Sequence, residues 1–464
     1  MHPGFSVVEE QQIVIIGCGA AGGTAAQFAR KTNRKAQITL IEQGPYPHYS
    51  KCGLPYAISG AIPSFPNLIE FSTDWFSKAK IQLYLNTTAT SIDHSTKTIT
   101  ITTEDNTNTI PYTQLILATG AHPTLPPIEG LSKKQNTNTI HVLRTIEHGQ
   151  NILNNIQKGK HAIVIGAGLI GLEMADALTH LGMKVTVIEA LPTILPGSLD
   201  PDMAQQVHQF LQHHLTIFTN HFVQKIHTSQ DKKHTIHILN NETKERQTLS
   251  ASLIIIATGI QPNTQLAQQL GCKIGTTGAI KITNKTETSI KDIYAIGDCT
   301  EYPDYITQKP LLIGLGSIVV RQGIAAGINA AGGIYTLPPG VLLTRTSEFF
   351  GLEIAGVGPT TNQLTTQPIT GRFSGSSLPD YFPGGKPITM KIGIHPKTGI
   401  IQNAQAVGDN AAQRINVYAT AILKKMTVEE FRKLETAYAP SIAPTLDVLT
   451  LTADVTHLKH TRRR

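Results

Sequence analysis

The chain has 464 residues, of which 40% are hydrophobic, and its 39 Lys and Arg residues against 32 Asp and Glu residues give a net charge of +7. This length exceeds what one hydrophobic core supports, and the composition excludes a disordered or collagen-like protein. The four cysteines include no closely spaced pair, which excludes a disulfide scaffold and a zinc site, so we predict no metal.

The first residues lack the pattern of a signal peptide, and no apolar run reaches the length of a membrane span. We therefore predict a soluble, cytoplasmic protein with no membrane partner. The mild basic excess suits phosphate-bearing small molecules as well as nucleic acid. The motifs that follow favour the small molecules, so no nucleic-acid partner is predicted.

The first predicted unit is a strand, a glycine-rich loop, a helix and a second strand. An apolar strand leads into a GxGxxG sequence formed by Gly17, Gly19 and Gly22, and the second strand ends at Glu42. The first glycine permits a tight turn, the second lets backbone approach a diphosphate, and the third lets the helix pack on the strand. A carboxylate about twenty residues later can accept hydrogen bonds from a ribose 2′-hydroxyl.

The same unit recurs in the middle of the chain. A second apolar strand leads into Gly166, Gly168 and Gly171, and the strand after the next helix ends at Glu189. One GxGxxG sequence is weak evidence for a nucleotide site, but two complete units with the same flanking elements are specific. The sequence therefore predicts two nucleotide-binding domains.

Three later apolar strands end at residues that are typical of ligand contacts. LILATG ends at Thr119 and Gly120, IIIATG ends at Gly259, and YAIGD ends at Gly297 and Asp298. The repeat of the ATG strand indicates that the duplication extends over whole domains. From about residue 337 shorter strands and then a helical stretch at about 409–437 predict a third, α+β domain.

Together these motifs resemble the pyridine nucleotide-disulfide oxidoreductases, flavoproteins with two dinucleotide-binding domains. The resemblance covers nearly the whole chain. It implies an α/β fold in which one Rossmann-like domain is inserted into another, followed by a C-terminal α+β dimerisation domain. The expected domains are residues 1–150 and 284–336 for FAD, 151–283 for NAD(P)H, and 337–464 for dimerisation.

The resemblance also implies the cofactors. FAD is expected on the first unit, with Asp298 bonded to the ribityl chain and a helix that starts at about Gly316 pointing at the flavin. NADH is expected on the second unit in preference to NADPH, because Glu189 would repel a 2′-phosphate. The predicted cofactor-binding residues are Gly17, Gly19, Gly22, Glu42, Thr119, Gly120, Gly166, Gly168, Gly171, Glu189, Gly259, Gly297 and Asp298.

The segment YSKCGLPY, which contains Cys52, resembles the single-cysteine branch of this family. That branch holds coenzyme A-disulfide reductases, NADH oxidases, NADH peroxidases and persulfide reductases. No second cysteine lies near Cys52, which excludes a dithiol mechanism. The peroxidases carry a histidine in the first glycine loop, where this chain has Ala20 and Ala21, and this difference disfavours peroxidase activity.

Cys52 is the predicted redox residue. A helix start just after it and the neighbouring Lys51 and His48 would favour a thiolate. The family further implies a homodimer in which Tyr381 and Tyr438 of one subunit approach the cysteine of the other. The predicted catalytic residues are therefore Cys52, Tyr381 and Tyr438.

The resemblance implies that electrons pass from NADH through flavin to Cys52 and then to a small disulfide or persulfide, as in a coenzyme A-disulfide reductase. An alternative is an NADH oxidase in which oxygen is the acceptor and Cys52 cycles through a sulfenic acid. A further alternative is an NADH-binding flavoprotein that acts mainly through protein interaction, a role that intact cofactor loops alone would permit.

Overall fold

A computed structural model describes residues 11–131, 139–231 and 233–463. The first stretch of chain contains β1 Gln12–Ile16, α1 Ala20–Thr32, β2 Gln37–Ile41, α2 Leu54–Ser59, α3 Thr73–Lys78, β3 Ile81–Tyr84, β4 Thr88–Asp93, β5 Thr98–Thr102, β6 Thr107–Pro111, β7 Gln114–Leu117 and β8 Ala121–Pro123. The second contains β9 Ile140–Val142, α4 Ile146–Leu153, β10 His161–Ile165, α5 Leu169–His180, β11 Lys184–Ile188, α6 Pro201–Leu211, β12 Thr216–Phe218, β13 His221–Thr228, β14 His234–Asn240, β15 Arg246–Ala251, β16 Leu253–Ile256 and β17 Ile260–Pro262.

The third stretch contains α7 Gln265–Gln269, β18 Ile280–Lys281, β19 Ile293–Ala295, β20 Thr300–Pro303, β21 Pro310–Leu312 and α8 Gly316–Ala330. The last contains β22 Arg345–Phe349, β23 Leu352–Val357, β24 Ile369–Ser376, β25 Pro387–Ile394, β26 Ile401–Gly408, α9 Ala411–Leu423, α10 Val428–Phe431 and α11 Val448–Thr461. Among the described residues, no helix combines the length and the apolar character needed to cross a bilayer.

Two five-stranded parallel sheets have equivalent strand orders in space. The first has the strand order β3-β2-β1-β7-β19, and the second has the order β12-β11-β10-β16-β9. Each is accompanied by a three-stranded antiparallel sheet, β4-β5-β6 in the first unit and β13-β14-β15 in the second. The central strands β1, β7, β10 and β16 are nearly continuous apolar runs because both of their faces are covered. The duplication inferred from the glycine loops therefore holds for four strands of each parallel sheet and for the antiparallel sheets, whereas the fifth strand comes last along the chain in the first sheet and first in the second.

The predicted domain limits at residues 150 and 283 both lie too far along the chain. β9 pairs with β16 in the second sheet, so the second unit already includes residues before 150. At the other end, Ile280 and Ile282 pack in the hydrophobic core of the first unit. A strand as short as β9 carries too few residues to show which sheet it joins, and only the pairing assigns it.

Helix α8 starts at Gly316, as predicted, and lies directly against α1. A Cβ on Gly323 would be 2.5 Å from the carbonyl oxygen of Ala21, and one on Gly327 would be 2.3 Å from that of Ala25. Only glycine allows backbones to approach so closely. This contact fixes α8 against α1, the helix that follows the first glycine loop.

The C-terminal unit is an antiparallel sheet of order β22-β23-β26-β25-β24, with α9 and α11 packed on it. The helical stretch predicted at 409–437 is two helices, α9 and the short α10, with a break between them. Helix α11 was not predicted, because its many threonines have low helix propensity. Asp447 caps it by accepting from the backbone N–H of Leu449 at 2.9 Å, and burial against β24 and β25 stabilises it.

Candidate active site

The two glycine loops have the same geometry. Gly17 has φ +108° and Gly166 has φ +106°, a conformation that favours glycine. A Cβ on Gly22 would lie 1.8 Å from the carbonyl oxygen of Gly17, and one on Gly171 would lie 2.0 Å from that of Gly166. A side chain at any of these four positions would therefore force strand and helix apart.

The packing of strand and helix does not explain the middle glycine of each loop. Gly19 and Gly168 have extended backbones at the N-termini of α1 and α5, and a Cβ on either would meet no protein atom within 4 Å. The protein itself does not require glycine there. The open space lies in front of unpaired backbone N–H groups, which suits the diphosphate of a dinucleotide.

The two strand-end carboxylates are held in matching ways. Glu42 accepts from the backbone N–H of Cys18 at 2.8 Å and of Gly44 at 2.9 Å. Glu189 accepts from the backbone N–H of Ala167 at 2.8 Å and of Leu191 at 2.9 Å. Each pair of bonds fixes a carboxylate beside its loop, where the ribose of a bound dinucleotide would lie.

A cleft of ≈ 1660 Å³ collects most of the residues predicted around the first unit. It is lined by Gly17, Gly19, Gly22, Glu42, Cys52, Thr119, Gly120, Gly297 and Asp298. The second-loop residues lie outside it, and these are Gly166, Gly168, Gly171, Glu189 and Gly259. The part of α5 that follows the second loop does reach the cleft through Leu169, Ile170 and Glu173. Helix α5 therefore connects the second glycine loop to the cleft.

Cys52 lies in a 3₁₀ turn, Lys51–Gly53, that leads directly into α2. Its thiol is exposed to the cleft. The Sγ atom is 3.8 Å from where a Cβ on Gly316 would stand, so it faces the first turn of α8. The predicted position at a helix start is confirmed, and the sulfur is next to the place expected for the flavin.

The predicted charge environment of Cys52 is wrong. Partial burial raises the pKa of its thiol, the carboxylates of Glu173 and Asp298 raise it further, and Arg144 alone opposes them. His48 is no cation, because burial lowers its pKa to about 4. The neighbours in sequence that were expected to favour a thiolate are therefore not the groups that control it.

Arg144 is a site residue that the sequence analysis missed. Its guanidinium forms an ion pair with Asp298 and donates from Nε to the carbonyl oxygen of Ala121 at 3.1 Å. The arginine follows β9, far from Asp298 along the chain, and no local motif marks it. The ion pair holds the Asp298 carboxylate at the cleft wall.

Glu173 was also missed, although it lies within the quoted motif VIGAGLIGLE. Burial raises the pKa of its carboxyl, which accepts from the Ser347 hydroxyl at 2.7 Å. The helical spacing of Leu169, Ile170 and Glu173 on one side of α5 could have indicated that this carboxylate faces the cleft.

Tyr381 and Tyr438 lie outside the cleft of their own chain. Their hydroxyls are 2.8 Å apart, and both side chains are exposed, at 71% and 47%. Two exposed aromatic side chains that share a hydrogen bond are well suited to contact a partner. Their role opposite Cys52 of a second subunit stays a prediction.

The charges around Cys52 can be tested with two variants that are expected to change its alkylation rate in opposite directions. Glu173→Gln removes a negative charge, so the thiol pKa falls and iodoacetamide should alkylate Cys52 roughly threefold faster near neutral pH. Arg144→Gln removes the positive charge, so the reaction should slow by a similar factor. Because the other cysteines are buried, the alkylation rate measured by mass spectrometry reports Cys52. Equal rates in both variants would contradict this account.

Comparisons with known proteins agree with the geometry. The family model for pyridine nucleotide-disulphide oxidoreductases matches residues 11–317, and the model for their dimerisation domain matches residues 345–448. The chain is 37% identical over 450 residues to an NADH oxidase of Methanocaldococcus jannaschii, covering 95% of this chain and 97% of that protein.

Two further relatives carry related names. The chain is 30% identical to a CoA-dependent NAD(P)H sulfur oxidoreductase of Pyrococcus abyssi, covering 96% of this chain and 98% of that protein. The solved structure of an NAD-dependent persulfide reductase from A. fulgidus matches with a TM-score of 0.91 and 34% identity, covering 97% of this chain and 84% of that one. The chain therefore belongs to the pyridine nucleotide-disulphide oxidoreductases and is an FAD- and NAD(P)H-dependent enzyme.

Proposed function

We propose that the enzyme uses NADH to reduce a low-molecular-weight disulfide or persulfide, of the coenzyme A type, at Cys52. One observation carries this proposal. Cys52 is exposed in the cleft, whereas Cys18, Cys272 and Cys299 are buried. Since no second thiol of the chain can reach Cys52, the sulfur with which it exchanges must come from the substrate.

The roles of the residues follow from this requirement. The Cys52 thiolate attacks the substrate disulfide, forms a mixed disulfide with one half and releases the other half as a thiol. Bound FAD supplies the transfer of two electrons from NADH that reduces this mixed disulfide. The balanced reaction consumes NADH, one proton and a disulfide, and it yields NAD⁺ and two thiols. A persulfide acceptor yields a thiol and hydrogen sulfide instead.

The assembly expected for this reaction is a homodimer. The matched dimerisation domain supports it, and so do the exposed side chains of Tyr381 and Tyr438 on that domain. We propose that these hydroxyls contact the substrate half of the mixed disulfide on the partner subunit. The names of the P. abyssi and A. fulgidus relatives, which concern CoA-dependent sulfur reduction and persulfide reduction, support the choice of acceptor.

An NADH oxidase is the second candidate. The M. jannaschii relative, which shares 37% identity, carries that name. In this function NADH, with bound FAD supplying the electron transfer, would first reduce oxygen to hydrogen peroxide. The Cys52 thiolate would take one oxygen of the peroxide as a sulfenic acid and release the other as hydroxide, and a second NADH would reduce the sulfenic acid to the thiol and water. Both candidate functions use the same exposed thiol, and they differ in the electron acceptor.

The identity of the electron acceptor can be tested directly with the wild-type enzyme. The protein is reduced with NADH without oxygen, and its reoxidation is followed by flavin absorbance after separate addition of coenzyme A disulfide, polysulfide or air-saturated buffer. Fastest reoxidation by a disulfide or polysulfide supports the proposal. Fastest reoxidation by oxygen would contradict the proposal and support the NADH oxidase function instead.

The position of Glu189 leads us to expect that the enzyme prefers NADH to NADPH. Its buried carboxylate stands where a 2′-phosphate would bring further negative charge, so kcat/KM should be at least about tenfold higher for NADH than for NADPH. Leu191 is 49% exposed beside it, and Leu191→Arg should narrow the difference by pairing with the phosphate. Equal kcat/KM values in the wild-type enzyme would contradict the prediction.

A further inference from the structure

Gln322 is a polar side chain on the buried face of α8, and its exposed fraction is 0%. The other buried residues of this helix are apolar or glycine, namely Val319, Gly323, Ala325, Ala326, Gly327 and Ala330. Burial of an amide group costs free energy unless the group is hydrogen-bonded. A leucine or a methionine would therefore suit this face better if packing were the only requirement.

The amide oxygen of Gln322 holds the turn that carries Asp298. Its Oε1 atom accepts from the backbone N–H of Gly297 at 2.7 Å, and Gly297 begins the 3₁₀ turn Gly297–Cys299. The Thr300 hydroxyl lies 3.3 Å from the same oxygen and donates to the Gly297 carbonyl oxygen at 2.7 Å. Both ends of the turn therefore lie against one side-chain atom of α8.

The amide nitrogen of Gln322 does not stabilise the fold. The Nε2 atom is buried, and none of the residues that the structure describes accepts a hydrogen bond from it. An unpaired buried donor is destabilising, and this penalty offsets much of what the bond to Gly297 contributes. Stability alone thus does not account for a glutamine at this position.

The backbone of Gln322 has a fixed position relative to α1. Gly323, the next residue, packs so closely on the Ala21 carbonyl oxygen that a Cβ would be 2.5 Å from it. The turn lies against the same residue of α1, because a Cβ on Gly297 would be 3.2 Å from the Ala21 Cβ. The Gln322 side chain therefore sets where Asp298 lies relative to both helices.

Asp298 is held from two sides. Arg144 pairs with its carboxylate, and Gln322 fixes its backbone through Gly297. Asp298 lines the cleft and is expected to bond the ribityl chain of FAD, whereas Gln322 does not line the cleft. Because Gln322 cannot touch the cofactor, it would affect FAD binding through the turn.

We propose that Gln322 is a positioning residue for FAD, whose amide oxygen places the Asp298 carboxylate for its bond to the ribityl chain. Without this oxygen the Gly297 N–H is unpaired, and the turn shifts towards another hydrogen-bond partner. Asp298 then loses its bond to the cofactor, and a hydrogen bond to a charged group changes affinity by about tenfold or more. This role is independent of which acceptor the enzyme uses.

The test measures the rate of FAD release from the diluted holoenzyme by flavin fluorescence. Gln322→Met keeps the length of the side chain but lacks the oxygen, and Gln322→Asn keeps the amide but is one methylene shorter. Both should release FAD about tenfold faster than the wild type. Gln322→Glu keeps an acceptor oxygen at the same reach and should stay within about threefold of the wild type.

The matched control is Asn329→Ala on the same helix. Asn329 donates to the carbonyl oxygens of Lys285 and Tyr335, and it does not line the cleft. Its substitution should leave the rate of FAD release unchanged. Faster release from this variant would show that any loss of hydrogen bonds in α8 is sufficient, and it would overturn the proposal.

A double-mutant cycle with Asp298→Ala tests whether Gln322 acts through Asp298. If it does, Gln322→Met should accelerate FAD release from Asp298→Ala by less than about twofold, because the contact that Gln322 positions is already absent. The proposal is overturned if the effects of the two substitutions multiply. It is also overturned if Gln322→Met releases FAD at the wild-type rate, or if Gln322→Glu releases it as fast as Gln322→Met.

Discussion

Cys52→Ser is expected to lower the rate of disulfide or persulfide reduction at least about a thousandfold, as is usual when a covalent nucleophile is removed. Serine cannot form a disulfide with the substrate, and no other thiol of the chain reaches the cleft. Reduction of the flavin by NADH should remain, because Cys52 takes no part in that step. Anaerobic stopped-flow absorbance separates the two half-reactions.

The matched control is Cys272→Ser, since Cys272 is buried and its thiol donates to the Thr288 hydroxyl. It should turn over disulfide like the wild type. If Cys52→Ser still reduced the acceptor at a comparable rate, electrons would pass from flavin to acceptor without a protein thiol, and the proposed role of Cys52 would be wrong.

Gly19→Ala and Gly168→Ala should each disable one cofactor site without unfolding the protein. A Cβ at either position meets no protein atom within 4 Å, so the free energy of unfolding of the cofactor-free chain should stay within about 0.5 kcal/mol of wild type. The methyl group nevertheless fills the space of a diphosphate, and overpacking there costs about 1–3 kcal/mol, or about 5- to 150-fold in affinity.

The two variants serve as controls for each other. Gly19→Ala should lose bound FAD, measured as flavin absorbance per chain, whereas Gly168→Ala should keep FAD and show a raised KM for NADH. Gly22→Ala differs from both, because its Cβ meets the Gly17 carbonyl oxygen and should destabilise the fold itself. If Gly168→Ala lost FAD, the assignment of the cofactors to the two loops would be reversed.

The fold could be predicted because its signals are local and occur twice. The positive φ of Gly17 and Gly166 and the close contacts at Gly22 and Gly171 require glycine at fixed spacing, so the sequence shows both turns directly. Asp298 could be found for a similar reason, since it ends an apolar strand beside a glycine. Helix α11 could not, because tertiary packing overrides its weak helix propensity.

The electrostatics of the site could not be predicted in the same way. The pairing of Arg144 with Asp298 joins residues that are 154 positions apart, and no spacing rule connects them. The sequence places His48 close to Cys52, but burial removes its charge. Charges in a cleft depend on which distant strands meet there, and adjacency along the chain is a poor guide to them.

The position of Arg144 has a consequence for how the enzyme unfolds. Two residues before it, Val142 ends β9 at the edge of the second sheet, whereas its own guanidinium is bonded to Asp298 and Ala121 in the first unit. The antiparallel pairing of β8 with β17 is a second tie between the units. Melting of either unit breaks these contacts and exposes to solvent the part of the cleft wall that the other unit contributes. We therefore expect calorimetry to show the two units losing structure in a single cooperative transition, and Arg144→Gln to lower the midpoint temperature of that transition.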